Sequence, residues 1–504
     1  MIARYGKERV KRGLIHFFIG KSVSALGGFC AMLLVVHALS IGDFAKYSVL
    51  VALVEVFTAL SGFGIAHMFL RYVPELYVKF QAKALRSLIL FGLGFRTSIL
   101  ILLLLLAWLF SSYLSGWIGL ASVVSIFNIF LVVVAFRSTN QFLSMILEST
   151  LHQGIAQSAF SIIAILRCVG MLMLIHQHPQ QVDLVDVIWV EACAEFIAMV
   201  IMLVGIGSVL WQRKIADAPE SEWFEANRAQ LITFSKAAYF QHLATLPFGA
   251  NTNRLVGGAM FGEHLMAKFG FANSLYEYIK RYLPTQLLIG LIRPVVVARY
   301  STTRNFAVAA NLCEQSLQIN LALLAGFLAV MLVSGREILL LISAGKYGAA
   351  GISVSVLSVL LVLLVFETQR VILEMLAQMV ERYDVMLPSN IFLALSVLGG
   401  IAAFPILGVI ALPMANIFAL ILANYWVAHR LSTLGFQYQH DWKASAESLA
   451  MLLVSVLAGK AFLHFGTHWV LALVITVGMY SLMFVRLKLS ASVQFARELI
   501  GNKG

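Results

Sequence analysis

Apolar runs of about 20 residues recur along the whole chain, separated by short polar connections. A run of that length crosses a hydrocarbon core of about 30 Å as a helix rising about 1.5 Å per residue. The pattern predicts spans near 14–37, 44–66, 86–110, 120–146, 155–176, 187–210, 234–258, 267–291, 309–333, 351–373, 386–404, 409–429, 446–464 and 468–486. The expected fold class is an all-α polytopic membrane protein of about fourteen transmembrane helices. No connection is long enough to hold a soluble catalytic domain.

Composition agrees. The 504 residues are 61% hydrophobic and 12% charged, with a mean hydropathy of +0.89. A soluble domain carries roughly twice that charged fraction. The formal charge of +12 would suggest a nucleic-acid partner in a soluble protein. Here the basic residues sit mostly in the connections, so no nucleic-acid partner is expected and orientation explains them first. With the N-terminus inside, the inside connections hold Arg71, Lys79, Lys83, Arg213, Lys214, Arg228, Arg299, Arg304, Arg382 and Lys443. The ends add Arg4, Lys7, Arg9, Lys11, Arg12, Arg497 and Lys503. Only Lys46, Arg336 and Lys346 lie in or beside the outside connections. Both termini are therefore expected in the cytoplasm. The basic start resembles a signal peptide, but Lys21 interrupts its apolar stretch and many spans follow, so an uncleaved first helix is expected. The longest inside connection, about Trp211–Thr233, carries Asp217, Glu220, Glu222 and Glu225 as a solvated segment; the longest outside one runs from about Ser334 to Gly351.

Cys30, Cys168, Cys193 and Cys313 fall in apolar segments without paired spacing, and are expected to be small buried apolar side chains. The sequence has no Gly-x-x-x-x-Gly-Lys-Ser/Thr loop and no His-Glu-x-x-His motif. No catalytic residue, metal or cofactor is expected. His176 and His178 read as surface residues before Pro179.

A weak internal repeat is present. Ala45 and Ala267, in Ala-Lys-aromatic turns, and Arg71 and Arg293, further on, are both separated by 222 positions. This favours two six-helix halves, with bounds of 1–211 and 233–430, a cytoplasmic linker at 212–232, and two added helices and a tail at 431–504. Substrate sites in repeated transporters lie between the halves.

The N-terminal block reads Ile41-Gly42-Asp43-Phe44-Ala45-Lys46-Tyr47, then Ser61-Gly62-Phe63-Gly64, then Arg71-Tyr72-Val73-Pro74-Glu75; a second block runs from Asn253-Arg254 through Ala267-Lys268-Phe269. These blocks resemble the polysaccharide transporter family of the multidrug/oligosaccharidyl-lipid/polysaccharide exporter superfamily. That family often has Asp where this chain has Asn253. The resemblance implies two six-helix bundles in a V shape, opening alternately to either side. It implies an undecaprenyl-pyrophosphate-linked oligosaccharide as cargo, and H+ or Na+ as coupling ion instead of ATP. Other membrane proteins of polysaccharide assembly are expected partners.

Ionisable residues inside spans are costly and usually face a cavity or a partner. The cations are Lys21, Arg96, Arg137, Arg167, Arg254, Lys280 and Arg281, and the acids Glu55, Glu191, Glu195, Glu277, Glu314, Glu367 and Glu374. A lipid pyrophosphate needs such cations, Arg as a bidentate donor and Lys as a point charge. Lys21 with Lys280 and Arg281 is the leading cluster, similar to the cation-lined cavities of related lipid flippases. The alternative pairs Lys280 and Arg281 with Glu277 on the same helix face. Glu191 and Glu195, four apart, share a face and are candidates for ion coupling, with Glu55, Glu277 and Glu367. The alternative pairs them with Arg137 or Arg167. Glu367, Arg370 and Glu374 read first as a self-compensating row on one helix, and Glu55 as a partner of Lys21. Tyr276, Tyr278 and Tyr282 are packing residues or sugar platforms; Pro247 and Pro284 are candidate bends.

Three other readings compete. A multidrug exporter of the same fold would move small cations, which a Lys- and Arg-rich cavity repels. A lipid II flippase is a close variant of the leading reading. A membrane polysaccharide polymerase or ligase usually carries a sizeable outside loop, which is missing here.

Overall fold

The computed structural model describes residues 7–78, 82–150, 152–179, 181–211, 223–283, 300, 305–347, 351–380 and 382–488. Arg4, Lys79, Arg213, Lys214, Asp217, Glu220, Glu222, Pro284, Arg293, Arg299, Arg304, Arg497 and Lys503 lie outside these. The described residues are helical, with no strand among them.

They form two units, Met1–Leu246 with Arg254–Ala267, and Pro247–Asn253 with Lys268–Gly504. The first contains α1 (Lys7–Ala38), α2 (Ile41–Gly62), α3 (Ile65–Val78), α4 (Ala82–Leu109), the short α5 (Ser111–Trp117), α6 (Val124–Ser149), α7 (Gln153–Gln177), α8 (Leu184–Trp211) and α9 (Trp223–Thr245). Two further helices, α10 (Ala250–Met260) and α11 (Glu263–Tyr282), cross the division. The second unit continues with α12 (Phe306–Ile342), α13 (Ile352–Met379), α14 (Met386–Leu407), α15 (Ala411–Thr433), α16 (Trp442–His464) and α17 (Trp469–Leu487).

Eleven stretches among the described residues are long and apolar enough to cross a membrane, one of them 386–433, which holds both α14 and α15. The chain is thus an all-α multi-pass membrane protein. The pattern erred where charge and breaks interrupt it. The expected span 234–258 is two helices, α9 and α10, separated at a turn where Gly249 has φ 112°. Pro247 sits in that turn, not within a span. The expected span 267–291 starts earlier, at Glu263, and its residues beyond Leu283 lie outside the described ones. In the other direction, α12 bends at Ser334 (φ −125°, ψ 16°) and continues to Ile342, shortening the expected outside connection.

In the first unit α1 lies along α7, α6 and α8 pack together, and α9 packs on α2, α3 and α4. The expected second bundle began at 233, inside α9. The α1–α7 approach is set by small residues, as between membrane helices generally. A Cβ on Gly20 would lie 2.7 Å from Gln157 Cβ, and one on Gly27, two turns later, 3.0 Å from Ala164 Cβ. At the same two levels Ser161 Oγ donates to Gly20 O (3.2 Å) and Cys168 Sγ to Gly27 O (3.1 Å). This corrects the expectation for the cysteines. Only Cys313 is buried, Cys168 is half-buried, and Cys30 and Cys193 are exposed on the protein surface. A helix facing hydrocarbon need not bury its apolar residues in protein.

The Gly42–Lys46 block is a helix start. Ser40 caps α2, its Oγ accepting from Asp43 N at 3.0 Å, and Asp43 pairs with Lys46 at 3.3 Å. A Cβ on Gly42 would lie 2.9 Å from Glu263 Oε2, so the two turns of the internal repeat meet within the first unit.

In the second unit α16 and α17 pack together and on α12. A Cβ on Gly326 of α12 would come 3.0 Å from the Tyr480 ring, whose hydroxyl donates to Ala322 O.

Candidate functional site

The first unit buries an ionic network contributed by four helices. Arg137 on α6 donates through Nη2 to Glu191 Oε2 (2.9 Å) and through Nε to Glu195 Oε1 (2.6 Å). Arg167 on α7 and Tyr47 on α2 both donate to Glu191 Oε1, and Arg167 Nη2 also reaches Tyr47 Oη at 3.2 Å. Asn140, one turn after Arg137, donates to Glu195 Oε2 and to Glu195 O, both at 2.8 Å. Glu191 and Glu195 are 1% and 4% exposed. At that depth a carboxylate without a cation costs several kcal/mol, and here each has one. The two candidates for ion coupling are thus joined to both arginines, the pairing that the alternative reading gives.

A third guanidinium lies beside it. Arg96 on α4, 4% exposed, donates to Ser138 O at 2.8 Å and sits 4.5 Å from the centre of the Phe142 ring. Among the described residues it has no carboxylate partner. Ser138 Oγ in turn lies 2.8 Å from Thr58 Oγ1. Around the network three guanidiniums, Arg96 buried and Arg137 and Arg167 half-buried, thus accompany two buried carboxylates. Lys21 on α1 is half-buried, and its charge acts on Glu148 at the end of α6. Glu55 is exposed on α2, and Arg254 is buried in α10. Its neighbour Asn253 is fully buried, with neither side-chain polar atom partnered among the described residues.

The second unit is wired differently. Lys280 Nζ of α11 pairs with Glu367 Oε2 of α13 at 2.8 Å, and Tyr276 Oη donates to the same oxygen at 2.6 Å. The Lys280 ammonium lies 5.6 Å from the Tyr276 ring centre. Lys280 is thus tied across to α13, while Arg281 is exposed and Glu277 half-buried. Arg370 donates to Ser389 Oγ (2.7 Å) and Asn390 Oδ1 (2.6 Å), both neutral, with the Glu374 charge nearby. The Glu367–Arg370–Glu374 row is therefore not self-contained, because Glu367 holds α11 and Arg370 holds α14. Of the leading cluster, Lys21 belongs to the first unit and Lys280 and Arg281 to the second. The Arg71 side chain lies outside the described ones. His176 and His178 are exposed, as expected.

Sequence reasoning missed Tyr47, Asn140, Ser389 and Asn390. Spacing offers a signal for two of them, since Tyr47 ends the Gly42–Tyr47 block and Asn140 stands three residues after Arg137.

Comparison with solved structures decides the fold. A lipid II flippase MurJ, in an inward closed conformation, superposes with a TM-score of 0.67 at 15% identity, over 96% of this chain and 100% of that one. An inward-facing multidrug resistance MATE family transporter of the MOP superfamily gives 0.63 at 14% identity, over 84% of this chain and 99% of that one. A Vibrio cholerae MATE transporter gives 0.53 at 12%, over 86% of this chain and 100% of that one. This chain shares their fold. No family model matches the sequence, and no curated protein sequence matches it. The fold neighbours are transporters and flippases, not enzymes.

Proposed function

We propose that the chain is a flippase for a lipid-linked oligosaccharide. The cargo is an undecaprenyl-pyrophosphate-linked repeat unit, moved from the cytoplasmic to the outer leaflet of the inner membrane for surface polysaccharide. Both termini lie in the cytoplasm, in line with the bias of basic residues. Movement is by alternating access of the two units and is driven by H+ or Na+.

The observation that carries this reading is the surplus of guanidinium over carboxylate around the network of the first unit. Arg137 and Arg167 are matched by Glu191 and Glu195, and Arg96 is left over. An interior with surplus guanidinium attracts a pyrophosphate and repels the small cations of a multidrug exporter. The breadth of the fold match favours the same side, since MurJ aligns with 96% of the chain and the MATE transporter above with 84%. It also supports a second reading, lipid II as cargo.

A deletion strain tests the reading. Surface glycan should disappear while its lipid-linked intermediate accumulates on the cytoplasmic leaflet. Loss of peptidoglycan synthesis instead would select lipid II. An intermediate that reaches the outer leaflet but stays unpolymerised would sink both readings in favour of a polymerase or ligase. Complementation with Arg96→Gln should lower export at least about tenfold at matched expression, the scale of one lost charged contact.

A further inference from the structure

The second unit contains a cavity of about 780 Å³ that the proposed transport path does not use. It lies where the first turns of α12 and α16, the connection 437–441 and the end of α17 meet. By the basic-residue bias this is the cytoplasmic end.

Its acids are already engaged. Glu314 accepts from Gln318 Nε2 (2.6 Å), from Asp441 N (3.0 Å) and from the Tyr438 hydroxyl. Burial and the adjacent Glu314 carboxylate push the Tyr438 phenol well above its ordinary range, so it stays a donor. Asp441 caps α16 through Ala444 N at 2.9 Å, and Glu447 pairs with Lys488 at 2.9 Å. His440 Nδ1 stands 3.1 Å from Glu314 Oε1, near enough for an ion pair when protonated but not aligned as a hydrogen bond.

What the cavity still offers is amide chemistry. Asn311, Gln437 and Gln439 line it from exposed positions, with Lys443 as the one ammonium not held in a salt bridge there. Gln315 Oε1 is buried in the wall and has no donor among the described residues. A buried acceptor without a donor costs about 1–3 kcal/mol, so it selects a ligand that brings one. Amides present a donor and an acceptor side by side, the complement of neighbouring hydroxyls. A bare phosphate would satisfy Lys443 and leave Gln315 unmet. The volume lies within the range of small-molecule sites.

We propose that this cavity binds a saccharide, and that it holds the glycan end of the cargo before translocation. The second clause rests on the flippase reading; the first does not. Purified full-length protein in phosphatidylcholine nanodiscs, probed by saturation-transfer difference NMR with N-acetylglucosamine 1-phosphate, tests it. Ring protons should receive saturation, free N-acetylglucosamine should compete, and the signal should fall at least about fivefold in Gln315→Leu, by analogy with polar sites left unpaired. Gln439→Leu, on the exposed connection, gives the same readout without disturbing the helix wall. No saccharide signal, or a signal undiminished from wild type in both variants, overturns the proposal. So does displacement by equimolar inorganic phosphate, which would make the cavity an anion site, or loss of the signal when phosphatidylglycerol is added, which would make it a lipid headgroup site. Full glycan export by a Gln439→Leu protein that no longer binds saccharide overturns the loading role and leaves the flippase standing. Saccharide binding by the wild-type protein, in a strain whose deletion mutant keeps its glycan, supports the cavity and removes the flippase.

Discussion

The two units bury similar charged side chains and wire them in opposite ways. In the first, Arg137, Arg167, Glu191, Glu195 and Tyr47 close into one network drawn from α2, α6, α7 and α8. In the second, apart from the donors gathered on Glu314 at the cavity, the described links of α13 join it to one helix at a time, to α11 through Lys280–Glu367 and to α14 through Arg370 and two neutral partners. A closed network in a low dielectric makes each member depend on the others. Pairwise links can be broken one at a time. Four helices of the first unit are therefore expected to behave as one body, and α11 is expected to part from α13 at lower cost. Under the proposed alternating access, that difference says which helices can rearrange.

The sharpest way to break the comparison is Arg137→Gln. It leaves Glu195 without its cation and Glu191 with only Arg167. Removing one partner of a buried pair typically costs about 3–5 kcal/mol, and Arg137 is only 16% exposed. Unfolding of the purified protein in detergent, followed by circular dichroism, should show a loss of that size. Adding Glu195→Gln should recover part of it, because the second change removes the stranded charge. A single variant as stable as wild type would mean that the network is not closed.

Next in size is Gly64→Ala, which asks whether α9 truly belongs with the first unit. Gly64 has φ 71°, and a Cβ there would lie 1.9 Å from Ser235 O on α9. The obstacle is backbone and cannot rotate away. Phe63 stacks on Tyr239 of the same helix with ring centres 4.4 Å apart, so displacement also opens that contact. Left-handed strain plus the clash should cost about 2–4 kcal/mol. Gly62→Ala is the control, because nothing lies within 4 Å of the added carbon. Equal retention of folded protein after heating both variants would detach α9 from this unit.

These contacts also mark what the sequence could reveal. Apolar run length alone exposes most of the spans, because hydrocarbon leaves a helix no other way to satisfy its backbone. It fails at α9–α11, where Lys268, Glu277, Lys280 and Arg281 dilute the signal and the Pro247–Gly249 turn cuts a helix. For the site, residue types near the right depth were legible, and pairing of Glu191 and Glu195 with Arg137 or Arg167 stood as one of two readings. Choosing between them needs the rotation of α6 and α7 about their axes, which periodicity does not supply. Arg370 was misread for a related reason. Charge spacing pointed to Glu367 and Glu374 on its own helix, whereas Ser389 and Asn390, its partners, carry no charge to betray them. Glu367 was likewise given to its own helix and belongs to Lys280.

The smallest effect sharpens the contrast from the other side. Lys280 is 31% exposed, so water screens part of its attraction to Glu367. Lys280→Gln should therefore cost only about 1–2 kcal/mol, well below Arg137→Gln. Tyr276→Phe removes one hydrogen bond to the same carboxylate and should cost about 1 kcal/mol. Both are read in the same detergent unfolding assay, with the double variant to measure coupling. If the links are pairwise, each retains its own effect and the double loss is near their sum, apart from a few tenths of a kcal/mol from the shared Glu367 oxygen. A double loss comparable to that of Arg137→Gln would show a cooperative cluster around Glu367. The distinction between a rigid first unit and a divisible second one would then have to be abandoned.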